Sequence, residues 1–276
     1  MSIAKVPGTR KAQVSPATDR SVALQAAEPD WKTLYIVGAV AALVAVTLFR
    51  RNLSVEMMQF KGFGIIRGVP ATWPSSTIEW YRLLQDNAFV GLILLNVVDV
   101  VNYCLVGLIF LALYGALRRA GKSAMVIATA CALVGIGIYL ASNQALAMLS
   151  LSKQYAAATT DAQRSMLLAA GEALLAIQNQ GTGYYASFFM VVVAGLIVSV
   201  VMLRSSVLSK ATAIVGILAN GIRLLGFVTL LLTPSIYSLA IPISAPFRVT
   251  WYVMIALTLF RLGRGTPIET PDNGSE

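Results

Sequence analysis

Six predominantly apolar stretches, the shortest 17 residues long, constrain this chain more than any other feature. About 20 helical residues span the hydrocarbon core of a bilayer. The stretches run Thr33 to Phe49, Ala88 to Leu117, Ser123 to Leu149, Gly183 to Leu203, Ala211 to Thr233 and Ile241 to Phe260. Hydrophobic residues make up 57% of the chain and charged ones 12%, where a soluble domain carries about a quarter charged. The expected fold is therefore all-α: a polytopic helical membrane protein with six transmembrane helices. Pro242 and Pro246 interrupt the start of the last stretch. Its helix is expected to begin near Ala245, with Ser244 as N-cap and Pro246 in the first turn.

The net charge of +9 suggests nucleic acid until its placement is considered. Lys5, Arg10, Lys11, Arg20 and Lys32 precede the first stretch. Arg118, Arg119 and Lys122 fill the second turn, Arg204 and Lys210 flank the fourth, and Arg261 and Arg264 follow the sixth. With six spans these all fall on one side, which the positive-inside rule makes cytoplasmic. Both termini are expected there. Arg50, Arg51, Lys61, Arg67 and Arg82, in the first outer loop, oppose this signal. No nucleic-acid partner is expected; membrane lipids are.

The chain has two cysteines, both inside apolar stretches, and no histidine. A disulfide framework is not expected. The commonest general base and the commonest metal and haem ligand are missing, so neither cofactor nor metal is expected. Residues 1–32 are polar and lack an apolar signal region, and 263–276 are likewise polar. Both read as disordered cytoplasmic tails around a six-helix domain over 33–262.

Two outer segments read as interfacial helices rather than linkers. In "VPATWPSSTIEWYRLLQDN", Ser76 and Glu79 have capping-box spacing, and Ile78, Tyr81 and Leu84 share a face. In "KQYAAATTDAQRSMLLAAGEALLAIQNQG", Thr160 and Gln163 repeat that spacing. Met166, Leu167, Ala170, Leu174 and Leu175 then form an apolar stripe.

Asp99 is the one acid inside an apolar stretch. Helical spacing places it on a face with Asn96, Asn102 and Tyr103. Such a face is costly against lipid tails and should turn inward. The expected partner is Arg223, at mid-depth on the fifth stretch with Asn220 three residues before it. Arg248, in the first turns of the sixth, is close enough to an interface to snorkel. Asn143 and Gln144 fall toward the same outer half, as do Tyr184, Tyr185 and Ser187. An outward-facing polar cavity is expected from these residues. An Asp99–Arg223 pair that merely orients two helices accounts for them equally well.

Several segments carry a family resemblance. These are "WYRLLQDN", "VDVVNYCLVGLIFLALYGALRR", "YLASNQALAMLSLSKQYAAATTDAQRSMLLAAGEALLAI" and "VMLRSSVLSKATAIVGILAN". Over roughly Trp80 to Phe227 the chain resembles bacterial integral-membrane proteins catalogued as domain of unknown function 4386. The resemblance implies a multi-pass helical fold and a bacterial origin, hence the cytoplasmic (inner) membrane. It supplies no catalytic residue.

Three functional classes follow. The first is a non-catalytic binding or accessory protein whose cavity takes a lipid, a small apolar molecule or a partner. The second is a small transporter or channel using Asp99 and Arg223, although no matching polar set lines the cytoplasmic half. The third is an intramembrane enzyme, which would have to work without His, without a G-x-S-x-G nucleophile motif and with a single buried acid.

Overall fold

The structure of the chain, a computed structural model, describes residues 31–50, 70, 72–229 and 234–265. Most of both expected tails lies outside these residues, as do Arg51, Lys61 and Arg67 and the end of the fifth stretch at 230–233. Every described element is a helix. In chain order they are α1 (Lys32–Arg50), α2 (Thr77–Asp86), α3 (Ala88–Leu94), α4 (Val97–Leu117) and α5 (Lys122–Ser142), then α6 (Ala145–Ala157), α7 (Asp161–Gln180), α8 (Thr182–Leu203), α9 (Lys210–Thr229) and α10 (Pro234–Arg264). Five helical stretches, containing α4, α5, α8, α9 and α10, are long and apolar enough to cross a membrane. The chain is an all-helical membrane protein. Helix α1 is apolar too but shorter, over Lys32–Leu48.

Six helices close a ring. Going round it, α1 packs on α4, α4 on α5, α5 on α8, α8 on α9, α9 on α10, and α10 returns to α1. Small residues let the backbones approach, as membrane helices require where lipid is as apolar as the partner helix. A Cβ on Gly38 of α1 would collide with Ala112 of α4, and one on Gly135 of α5 would meet Met190 and the Ser187 carbonyl of α8. Gly137 has open space and serves no contact. The basic helix ends gather at one end of the ring. Arg118 covers the Trp31 ring at 4.5 Å, Gly265 lies near the Lys32 ammonium, and Gly121 lies against Val201. Leu113, Leu117, Met125, Met202, Ile255 and Leu259 fill the core, each fully buried.

At the opposite end, α2, α3, α6 and α7 form a cap around a second core of Trp80, Tyr81, Leu84, Ile93, Leu94 and Met148. This departs from the expected pattern of two outer helices. The second apolar stretch does not continue through Ala88 to Leu117: it breaks at Leu95–Asn96. There Asn96 adopts φ 61°, a left-handed conformation that Asn tolerates better than most residues. The third stretch breaks at Asn143–Gln144, and α6 follows instead of the expected continuation to Leu149. Both breaks free backbone groups, and side-chain amides take them up. Gln178 Nε2 donates to the Leu95 carbonyl at 2.8 Å while its Oε1 accepts from the Gln144 amide at 3.2 Å. Asn143 donates to the Asn96 carbonyl at 3.4 Å and accepts from the Ala145 amide at 3.1 Å.

Local capping follows the sequence closely. Thr160 and Gln163 close the capping box at the start of α7. At α2 the Ser76 hydroxyl accepts from the Glu79 amide at 3.3 Å, but Glu79 reaches one residue further back and accepts from Ser75 N at 2.6 Å. Those bonds hold the Glu79 carboxyl below its ordinary range. The apolar stripe on α7 is rotated from the expected one. Leu168, Leu174 and Leu175 pack on the cap core, while Met166 is 72% exposed. The rotation brings Gly171 onto α2, where a Cβ would collide with the Tyr81 hydroxyl. That hydroxyl donates to the Leu167 carbonyl at 2.7 Å.

Helix α10 overturns one expectation. It does not start near Ala245 but runs unbroken from Pro234 to Arg264 through Pro242 and Pro246. Each internal proline costs one backbone hydrogen bond, and packing against neighbouring helices lets membrane helices carry that cost.

Two outcomes test the cap. Replacing Asn96 by Val puts a β-branched residue in the left-handed region. This should cost about 1–2 kcal/mol of stability, whereas Asn96→Gly should cost much less; thermal unfolding in detergent compares them. Burial, with Tyr155 beside it, pushes the Tyr81 hydroxyl up to about 12 from its ordinary 10. The native state therefore holds this proton more tightly than the unfolded chain. Its contribution should be complete below about pH 10 and lost as pH rises through about 12. Tyr81→Phe should shrink that alkaline loss and, at neutral pH, cost about 1 kcal/mol for the missing hydrogen bond.

Candidate functional site: a polar layer beneath the cap

The nine residues expected to form one cavity divide by role. Asn96, Asn143 and Gln144 belong to the helix breaks, where their polar groups complete the backbone bonding described above. Tyr103, Asn220, Arg223 and Arg248 come together and line one internal cavity of about 20 Å³, with Phe188, Trp251 and Tyr252. That is about the room one ordered water needs. Asn102 is buried on α4 with its Oδ1 unpartnered, and it is not among the cavity-lining residues.

The break at Asn96 explains Asp99. Because α4 begins at Val97, the carboxylate stands in the first turn of a helix. There the exposed amides and the helix dipole favour negative charge. Asp99 is thus a terminal residue of α4, where a continuous helix from Ala88 would have buried it in mid-span. Tyr139 of α5 lies within reach of the carboxylate, and the charge of Arg248 on α10 acts on it. Tyr139 in turn stacks flat on Tyr103, with ring centroids 3.9 Å apart and planes 2° apart.

Arg223 does not pair with Asp99. Between described residues the only ion pair closer than 4.0 Å is Arg164–Asp161, at 3.8 Å on the outer surface. Arg223 instead lays its guanidinium over the Phe188 ring at 4.5 Å, and its buried Nε has no hydrogen-bond partner. With the helix beginning at Pro234, Arg248 stands within a continuous helix and lines the internal cavity. Its Nη2 donates to the Tyr252 hydroxyl at 3.4 Å.

These groups share one level. At about 1.5 Å per residue from the basic ends of their helices, Tyr103, Phe188, Arg223 and Arg248 all lie about 20–24 Å up. Asn220, about 15 Å up, closes the layer from below by donating to the Gly216 carbonyl at 2.8 Å. It fits because Gly195 of α8 has no side chain; a Cβ there would strike the Asn220 amide. Ser187, fully buried beside Tyr103, closes no well-formed hydrogen bond, and neither does the indole N–H of Trp251.

Reasoning from sequence missed Tyr139, Gln178, Phe188 and Trp251. Tyr139 was accessible, since it lies one turn before Asn143 on a helix already read as polar there. Gln178 carried no signal, because only the fold of α7 across the breaks gives it a task. Among the described residues no cluster of His, Cys, Asp and Glu could hold a metal ion. No family model, curated protein or solved structure matches the chain. Its function has to be read from this layer.

Coupling energies test the new pairing. In a double-mutant cycle, Asp99→Asn and Arg248→Gln should show an interaction above about 0.5 kcal/mol. Asp99→Asn and Arg223→Gln should be nearly additive. Strong coupling to Arg223 instead would restore the pairing expected from sequence.

Proposed function

We propose that this protein is a non-catalytic membrane binding protein that holds a small amphiphilic ligand in the polar layer beneath its cap. One observation carries the reading: the layer has more buried hydrogen-bonding capacity than the protein satisfies. Arg223 Nε, Ser187 Oγ and the Trp251 indole N–H are all buried without partners. Leaving such groups unmade costs about 1–3 kcal/mol each, more for a charged one, a cost that a bound ligand offsets. The transporter alternative draws less support, because the ring below the layer is packed with apolar side chains down to the basic end.

The reading includes six spans with both termini cytoplasmic in a bacterial inner membrane, and membership of the family that Trp80 to Phe227 resembles. The place of α1 in the ring, between α4 and α10, supports counting it as a span. So does the gathering of Lys32, Arg118, Lys122, Arg204 and Arg264 at helix ends on one side.

Two measurements test it. A cysteine introduced at Ser76 or Thr160 should react with an impermeant reagent from outside, and one at Gly121 should not; outside labelling of Gly121 would reverse the topology. Mass spectrometry of protein purified in mild detergent should find an amphiphile retained in fixed proportion and lost from Arg223→Ala. Equal retention by both proteins would sink the binding reading.

A further inference from the structure

The geometry points to a ligand with a single carboxylate head and a long apolar tail, its head held by Arg223. This rests on the binding reading above and sharpens it by naming the chemical class.

Charge sets the head group. Among the described residues the ring helices carry one acid, Asp99, and two arginines at the level of the layer. The charge of Arg248 acts on Asp99. Arg223, half-buried, has no carboxylate within 4.0 Å among the described residues; its Nε is buried and unpartnered, and only the face of Phe188 lies beneath its guanidinium. A cation–π contact replaces only part of the hydration that burial takes from a guanidinium. One negative charge from outside the chain completes the balance; two would overshoot it. A planar carboxylate also matches the guanidinium fork in bidentate fashion. The cavity of about 20 Å³, room for about one water, takes a carboxylate oxygen and excludes a bulkier head.

Surroundings set the tail. The ring of Phe227 lies 6.1 Å from Phe188, 5.4 Å from Phe189 and 6.5 Å from Tyr185, so Arg223 stands under an aromatic cluster shared by α8 and α9. The cluster reaches the outer surface of the ring, where Phe189 is 39% and Leu225 68% exposed. In a bilayer that surface meets acyl chains. A head seated at Arg223 thus leaves its tail along an apolar, aromatic route that opens sideways into lipid.

Trp251 lines the same cavity and supplies the readout. Delipidated full-length protein in mild detergent should show saturable quenching of tryptophan fluorescence by dibromostearate, with most of the effect absent in Trp251→Phe. Palmitate should displace the probe at least ten times more effectively than hexadecanol, which has the same tail without the charge. Hexadecyl phosphate should compete no better than palmitate. Arg223→Gln should weaken binding at least tenfold. Should that variant fail to fold, Val191→Asp, which places a carboxylate on the cavity wall beside Arg223, keeps the guanidinium neutralised and should weaken binding as much. Equal displacement by hexadecanol, stronger displacement by hexadecyl phosphate, or unchanged binding in Val191→Asp would each overturn the inference. The two readings fail separately. A co-purifying amphiphile that depends on Arg223 but is not a monocarboxylate leaves the binding reading standing, and absence of any Arg223-dependent ligand removes both.

Discussion

Inside hydrocarbon no water is available to a freed amide or carbonyl, so every interruption of a helix must be repaired by the protein itself. This protein interrupts two of its apolar helices, at Leu95–Asn96 and at Asn143–Gln144, and the rest of its capped half is built around the repair. Gln178 reaches from α7 to both breaks at once, donating at one and accepting at the other. That single side chain ties three parts of the chain together and gives α7 a fixed seat. The cap, the position of Asp99 and the roof over the polar layer all follow from where the two helices stop.

A second consequence concerns charge. Once α4 begins at Val97, Asp99 belongs to a helix terminus and already has favourable company in the dipole and in Tyr139. It no longer needs a guanidinium opposite it as a condition of burial. The charge of Arg248 then acts on it, and Arg223 is left to an aromatic ring. Interior charges in membrane proteins are usually explained as pairs; here the count is odd, and the odd charge is the one closest to an aromatic, lipid-facing surface. The imbalance is the physical ground on which a ligand-binding reading stands.

Much of this was legible in the residues themselves. The apolar stretches matched helices where they lacked both internal amides and prolines, as in α1 and α8. The capping signals at Ser76 and Thr160 marked true helix starts, because a cap depends on residues three positions apart and nothing farther away. Reading failed where a polar residue had two possible meanings. Asn96 and Asn143 looked like members of a polar face, since a helix continuing through them would have made them so. In fact they end helices: the Asn143 side chain serves the backbone, and Asn96 supplies the carbonyl to which it donates. Pro242 and Pro246 looked like a helix start because in water they would be one; against neighbouring helices the lost bonds are tolerated.

The sequence by itself determined that this chain is an all-helical membrane protein with its basic residues gathered at particular turns and its unusual polar groups confined to one zone. Those properties follow from composition and short-range periodicity, which the linear order of residues records in full. Only the tertiary structure decided that six helices close a ring, that four more cap it, and that Arg223 lies over Phe188 and not against Asp99. Such facts depend on where two helices end and how far along a third a given arginine lies. Arg223 and Arg248 differ in height by only about 4–5 Å, at 1.5 Å per residue from the basic ends of α9 and α10. No local pattern encodes a difference of that size. It is set by packing between segments more than a hundred residues apart in the chain.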